Sequence, residues 1–292
     1  MFKSVLLIIA AMVAFAANSL LCRMALVNTN IDPSSFTIIR LLSGAVSLLV
    51  LSIVFYVSQS RSQESERLIA MMKQNASVAG GIALFVYALC FSFAYISMAT
   101  GTGALLLFGT VQVTMIAVGL IKGERFTLSQ WLGFSFAIIG LVILLLPSSS
   151  APSMLSAILM ILAGFAWGAY SLIGKSATSP LVASAGNFVI ASALCVPLAA
   201  VVLLTGAKIN IDPTGSLYAL ASGILASGAG YAIWYAALPS IKSTTAATVQ
   251  LSVPIISTFM GWAILKESLN ITIIVASLAT LGGILLVIRQ RN

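Results

Sequence analysis

The chain has 292 residues, no histidine, only six acidic residues and three cysteines. The lack of histidine removes the commonest metal ligand and proton shuttle. Asp32, Glu64, Glu66, Glu124, Asp212 and Glu267 all fall in loops or at the ends of apolar runs. No carboxylate is therefore expected inside a run, where a proton-coupled carrier usually needs one. Cys22, Cys90 and Cys195 lie in or at the end of apolar runs with unrelated spacing, so neither a disulfide framework nor a metal site is implied. With no nucleophile beside a base and no metal cluster, an enzyme is excluded, and no catalytic residue, metal or cofactor is assigned.

What the chain has instead is apolar surface. It is 60% hydrophobic and 7% charged, with a mean hydropathy of +1.13. A soluble domain of this length has no means of burying so much. A helix crosses a bilayer in roughly 20 apolar residues. Ten such stretches are predicted, at 4–23, 34–57, 77–98, 101–121, 128–147, 154–174, 181–205, 215–237, 243–265 and 270–288. The first follows Lys3 and runs to Arg23 without a small-residue cleavage pattern, so it reads as a retained helix rather than a signal peptide. The expected partners are the lipid bilayer and a small-molecule substrate, with the chain a monomer or weak homo-oligomer.

The net charge of +8 does not imply a nucleic acid, because its placement follows topology. With both termini cytoplasmic, the inside carries Lys3, Arg61, Arg67, Lys73, Lys122, Arg125, Lys175, Lys242, Arg289 and Arg291. The outside carries Arg23, Lys208 and Lys266, and Arg40 lies within a span. Positive charge favours the cytoplasmic side, which selects this orientation. The predicted location is a cell (inner) membrane, crossed many times.

The sequence also repeats. Gly101–Leu146 reads as two apolar helices joined by the charged turn GERFT, and a second copy begins at Thr244. At one offset Thr102 falls on Thr245, Glu124 on Glu267 and Gly140 on Gly283. Thr127 and Asn270 stand as caps before the next helix, and Thr127 with Gln130 fits a capping box. Farther upstream, Phe15–Arg23 aligns with Trp167–Lys175, and Pro33–Arg40 with Pro180–Asn187. The turn-rich segment Pro147–Pro152 divides residues 1–147 from 148–292. Five spans per copy is an odd number, so the copies must cross the membrane in opposite senses. The expected fold is all-α, ten helices in two inverted five-helix repeats around a central cavity.

The segments GERFTLSQWLGFSFAIIGLVILL and LSVPIISTFMGWAILKESLN resemble the paired EamA repeats of the drug/metabolite transporter superfamily. The resemblance covers essentially the whole chain and implies ten spans, cytoplasmic ends, and export or exchange of small metabolites such as amino acids. The second turn has Lys266-Glu267 where the family more often has Gly-Glu.

Candidate binding residues are those that a bilayer core would otherwise disfavour. Arg40 stands six residues into the second span, about 9 Å along the helix. It reads either as the partner of a transported carboxylate or as an arginine that snorkels or fixes helix ends. Tyr87 with Phe91, Trp167 with Tyr170, and Tyr231 with Trp234 are three or four residues apart in mid-span, so each pair shares one helix face. Placed away from the interfaces they prefer, these rings suit either a cavity wall or plain packing. Asn18, Gln112, Asn187 and Gln250 are amides inside spans, where an unpaired group costs several kcal/mol. They serve either a ligand or inter-helix bonding. Pro254 removes a backbone donor mid-span and is the candidate gating hinge. Gly133, Ala137 and Gly140, with Ala276, Thr280 and Gly283, form small-residue stripes for close helix contact. Glu124 and Glu267 are expected to brace the turns. The function that follows is a secondary transporter working by alternating access on amino acids or related compounds; the alternative is a multidrug or organic-cation exporter.

Overall fold

The structure, a computed structural model, describes residues 2–57, 64–123, 125–146, 151–174, 177–237 and 249–289. The expectations for Glu124, Lys175, the 147–150 part of the dividing turn and the start of 243–265 lie outside these residues. In chain order the helices are α1 (Phe2–Asn28), α2 (Pro33–Val57), α3 (Glu64–Asn75), α4 (Val78–Ala94), α5 (Thr100–Ile121), α6 (Leu128–Leu145) and α7 (Met154–Gly174). There follow α8 (Pro180–Ala193), α9 (Cys195–Leu204), α10 (Pro213–Ala221), a π-helical segment Ser222–Ala229, α11 (Gly230–Ala237), α12 (Ser252–Leu265) and α13 (Ile271–Arg289). Among the described residues no strand occurs.

Eight of the helical runs are long and apolar enough to cross a membrane, or nine if a bent pair counts as one span. The ten straight spans expected from hydropathy are thus modified at four places, one of them the eighth, where the π-helical segment lies between α10 and α11. The stretch ahead of the third is the bent pair, with α3 meeting α4 at 77°. The bend falls at Ser77, whose hydroxyl caps α4 by accepting the Gly80 N–H. The seventh is split at Leu194, because Pro197 has no N–H to donate to the carbonyl one turn back. The ninth is described only as a short run to Gln250 and the 14-residue α12, which is below spanning length.

Helix ends follow from local chemistry. Asp32 starts α2 by accepting the backbone N–H groups of Ser34 and Ser35, each at 2.9 Å. Asp212 starts α10 by accepting the Gly215 N–H at 2.8 Å. Thr127 and Gln130 form the reciprocal capping box expected at the start of α6. At the two charged turns Gly123 has φ +92° and Lys266 has φ 57°. The repeat position is therefore left-handed in both copies. Glycine is at home there, whereas lysine is held against its steric preference.

Packing joins the two halves throughout. α6 lies on α13, α5 on α12 and α2 on α8. α4 packs on α7 as α1 does on α11, α5 on α7 as α12 does on α1, and α2 on the π segment as α4 does on α8. The stripes of small residues meet as expected. A methyl group on Gly133 would stand 2.6 Å from the Gly283 carbonyl oxygen, and one on Gly140 would stand 2.8 Å from that of Ala276. Loops are tied across the halves too. Asp32 and Asn210 exchange hydrogen bonds at 3.0 and 3.1 Å, and Asn75 accepts from Thr178 and Ser179 at 2.8 and 3.1 Å.

The outer surface is apolar. Val46, Val50 and Val54 of α2, Leu132, Phe136 and Ile139 of α6, and Leu155, Ile158, Leu162 and Phe165 of α7 are all exposed at helical spacing. Stripes of this kind suit hydrocarbon and not water. The protein is a multi-pass helical membrane protein with a largely lipid-facing exterior.

Candidate functional site

The interior holds one connected group of rings. Tyr87 contacts Phe91 at 5.3 Å and Trp167 at 4.8 Å between centroids. Trp167 stacks on Tyr170 at 5.2 Å and meets Tyr231 at 5.6 Å. Phe15 touches Tyr231 at 5.8 Å and Trp234 at 6.2 Å, and Phe188 reaches Tyr231 at 5.9 Å. All six aromatic residues singled out from spacing therefore belong to a single cluster drawn from α4, α7 and α11. Each ring pair contributes roughly 0.5–1.5 kcal/mol beyond its burial.

Arg40 lies against this cluster from α2 and is 2% exposed. Its guanidinium stands 5.2 Å from the centre of the Tyr87 ring and 5.0 Å from that of Phe91. Its Nη2 donates to the Tyr87 hydroxyl at 3.0 Å. The same hydroxyl accepts from the Asn18 amide at 3.1 Å. Asn18 Oδ1 in turn accepts from the Ser222 hydroxyl at 2.6 Å. A chain of hydrogen bonds thus runs Arg40–Tyr87–Asn18–Ser222 through α2, α4, α1 and the π segment. Arg40 Nε and Nη1 are buried without a hydrogen-bond acceptor.

The π-helical segment explains how α2 comes so close. Its widened turn presents Gly223 to the α2 backbone, where a methyl group would stand 2.5 Å from the Arg40 carbonyl oxygen. Ser47 of α2 donates to the Ile224 carbonyl at 3.4 Å. A π turn displaces carbonyls from their usual partners, and such insertions often mark functional sites.

The other amides are placed differently. Asn187, expected as a ligand candidate, accepts the Ser77 N–H at 2.8 Å and packs on Gly80. Its amide is committed to the bend before α4 and stands apart from the Arg40 chain of bonds. Gln112 is buried on α5 and Gln250 is half-buried just before α12; neither joins that chain. Pro254 is the third residue of α12, and the helix is interrupted earlier, at Leu251. As at Leu194 ahead of Pro197, the break lies three residues before a proline that has no N–H to donate to the carbonyl one turn back, here that of Gln250. The interruption expected from Pro254 therefore lies at Leu251.

Glu267 braces its turn as expected, and does more. Its carboxylate accepts the Thr100 N–H at 2.9 and 3.1 Å and the Thr100 hydroxyl at 3.2 Å. Arg23 Nε lies 3.5 Å from Glu267 Oε1, and Arg23 Nη1 donates to the Tyr95 and Ile96 carbonyls, each at 2.8 Å. Four helices are joined here: α1, α4, α5 and α12.

Sequence reasoning missed Phe15, Phe188 and Ser222. Phe15 was legible, since it occupies the repeat position of Trp167. Tyr87 and Tyr231 share a repeat position as well, in YALCF and YAIWY. The contacts Trp167–Tyr87 and Phe15–Tyr231 are therefore counterparts. Ser222 gave no signal, because a serine in an apolar run is common helix filling.

Apolar helices sufficient for eight or nine crossings, folded around a buried cation and a wall of aromatic rings, define a polytopic membrane protein of the transporter class. Residues 2–146 and 154–289 each match the EamA-like transporter family, and the chain belongs to it, within the drug/metabolite transporter superfamily. Members of this family are transporters and not enzymes. A Pseudomonas aeruginosa protein named only as uncharacterised is 46% identical over 289 residues, covering 99% of this chain and 96% of its own. An uncharacterised transporter of Archaeoglobus fulgidus is 25% identical over 211 residues, covering 69% and 72%. A second from that organism is 28% identical over 181 residues, covering 61% and 63%. A solved crystal structure shares the fold with a TM-score of 0.64 at 16% identity, over 98% of this chain and 96% of its own.

Proposed function

We propose that the chain is a secondary transporter of small amphipathic metabolites, amino acids and related compounds, working by alternating access. Its architecture is two inverted five-helix repeats, residues 1–147 and 148–292, in a cell (inner) membrane with both termini cytoplasmic. It acts as a monomer or weak homo-oligomer. The helix pairing supports the inversion: the main contacts between halves have a counterpart when each span is exchanged for the one five further on. The ring contacts Trp167–Tyr87 and Phe15–Tyr231 obey the same exchange.

The observation that carries the reading is the buried Arg40 set against Tyr87 and Phe91 between the two halves. A charge in the middle of a bundle is costly, and substrate pathways are where such charges are kept. Arg40 and Asn18 bind the polar end of the substrate, while Tyr87, Phe91, Trp167, Tyr170, Tyr231 and Trp234 hold its apolar body. Gln112 and Gln250 lie on helices beside the pathway, and the interruption ahead of Pro254 supplies a hinge. An exporter of organic cations is disfavoured, because its site would want a carboxylate and this one presents a guanidinium. Reconstitution into liposomes tests the reading. Saturable counterflow of labelled amino acids or their derivatives is expected, and its absence across such a panel overturns it.

A further inference from the structure

Resting on that transport reading, we infer that the site selects a net negative charge: its substrates are small monocarboxylates with an aromatic or apolar body, preferred over zwitterionic or cationic analogues. Arg40 Nε and Nη1 are buried and meet no acceptor. A guanidinium does not shed its proton, so the unmet N–H groups are those of a full cation. The faces of Tyr87 and Phe91 compensate that charge only in part. A carboxylate would do so fully, through charge-assisted hydrogen bonds. Tyr87 adds a second donor, since a hydroxyl that accepts from Arg40 and Asn18 still has its own proton to give.

Asp32, Asp212 and Glu267 are each engaged elsewhere and do not play that part from within. Asp32 holds the first turn of α2, Asp212 caps α10, and Glu267 is bound to Thr100 and Arg23. The fold does not require the cation either. The same repeat position in the second copy is Asn187, a neutral residue that serves as a helix-end acceptor. Opposite reasoning applies to an ammonium group. The one amide oxygen in the bonded chain, Asn18 Oδ1, already accepts from Ser222. An ammonium would therefore have to share that oxygen through its second lone pair beside a like charge, and an amino acid would lose at that end part of what it gains at the other.

Four compounds that share a phenyl ring and a short chain isolate the charge: 3-phenylpropionate, its neutral amide, phenylalanine and phenethylamine. The assay is counterflow of labelled 3-phenylpropionate into liposomes holding the purified protein. The acid should compete at least about tenfold better than the amide, the difference that loss of charged hydrogen bonds produces. Phenylalanine should compete less well than the acid, and phenethylamine least. R40Q should abolish the distinction between acid and amide, while R40K retains it in weakened form. The wild-type ranking decides the matter even where a variant fails to fold. Equal competition by acid and amide overturns the charge assignment. Movement of phenylalanine or phenethylamine with the acid ignored overturns it too, and leaves the transport reading standing. Movement of none of the four overturns the charge assignment, and the transport reading then stands or falls on its own panel of amino acids.

Discussion

Glu267 offers the sharpest test of how the helices are held. The Thr100 N–H and hydroxyl it binds belong to a fully buried residue at the start of α5. E267A leaves both without their partner, and an unsatisfied buried donor costs about 1–3 kcal/mol. Loss of the Arg23 contact adds little, at most about 1 kcal/mol, because the pair is partly exposed and loosely spaced. Arg23 also keeps its two carbonyl acceptors on Tyr95 and Ile96. Counting the Thr100 N–H alone with the ion pair, the cost of E267A is about 1–4 kcal/mol. E267Q should cost about half of that, since an amide oxygen can still accept from the Thr100 N–H while the charge is lost. R23A should cost less than E267A, and the double variant little more than E267A alone. The assay is equilibrium unfolding in mixed detergent micelles. A cost for E267A below about 0.5 kcal/mol, or R23A exceeding E267A, would refute the view that this carboxylate holds the first turn of α5.

Other substitutions probe other contacts. G140L should separate α6 from α13 and cost about 3 kcal/mol or more of unfolding free energy, because its side chain meets Thr280 and the Ala276 carbonyl. On the same helix pair G282A, which meets nothing within 4 Å, should be neutral or stabilising by about 0.5–1 kcal/mol in the same titration. Y87F removes an acceptor shared by Arg40 and Asn18 and should cost about 2–3 kcal/mol, against about 1 kcal/mol for Y170F, which loses the 3.1 Å bond to Ser184.

Much of the fold was legible because its signals are local. Apolar runs, the capping box at Thr127 and the facing glycine stripes all depend on residues close in sequence, and all appear. Breaks within runs were harder to see. Pro197 is a visible breaker, but hydropathy averages across it, and the 77° bend before α4 depends on Asn187 reaching Ser77 from 110 residues away. The same reach realises the inter-helix alternative for Asn187. An intramembrane amide looks alike in sequence whether it meets a ligand or a backbone N–H. Lys266 is the converse case, for alignment with Gly123 marks a left-handed turn that lysine alone would not suggest.

The repeat separates framework from function by a physical criterion. Where the copies agree, the residues hold helices together: Gly140 and Gly283 sit in one packed stripe, and Tyr87 and Tyr231 make counterpart ring contacts. Where they differ, two of the differences converge. Arg40 opposes Asn187, and Asn18 opposes Tyr170. Arg40 and Asn18 meet on one hydroxyl, that of Tyr87, at 3.0 and 3.1 Å. A bundle stabilised by duplicated contacts gains nothing from breaking its symmetry at a single buried point, and burying a lone cation there is a loss. On the proposed function, such a departure serves a ligand that has two unlike ends. On that reading the Arg40 guanidinium faces one end of the ligand, and the ring wall built around Tyr87, Trp167 and Tyr231 lies along its length.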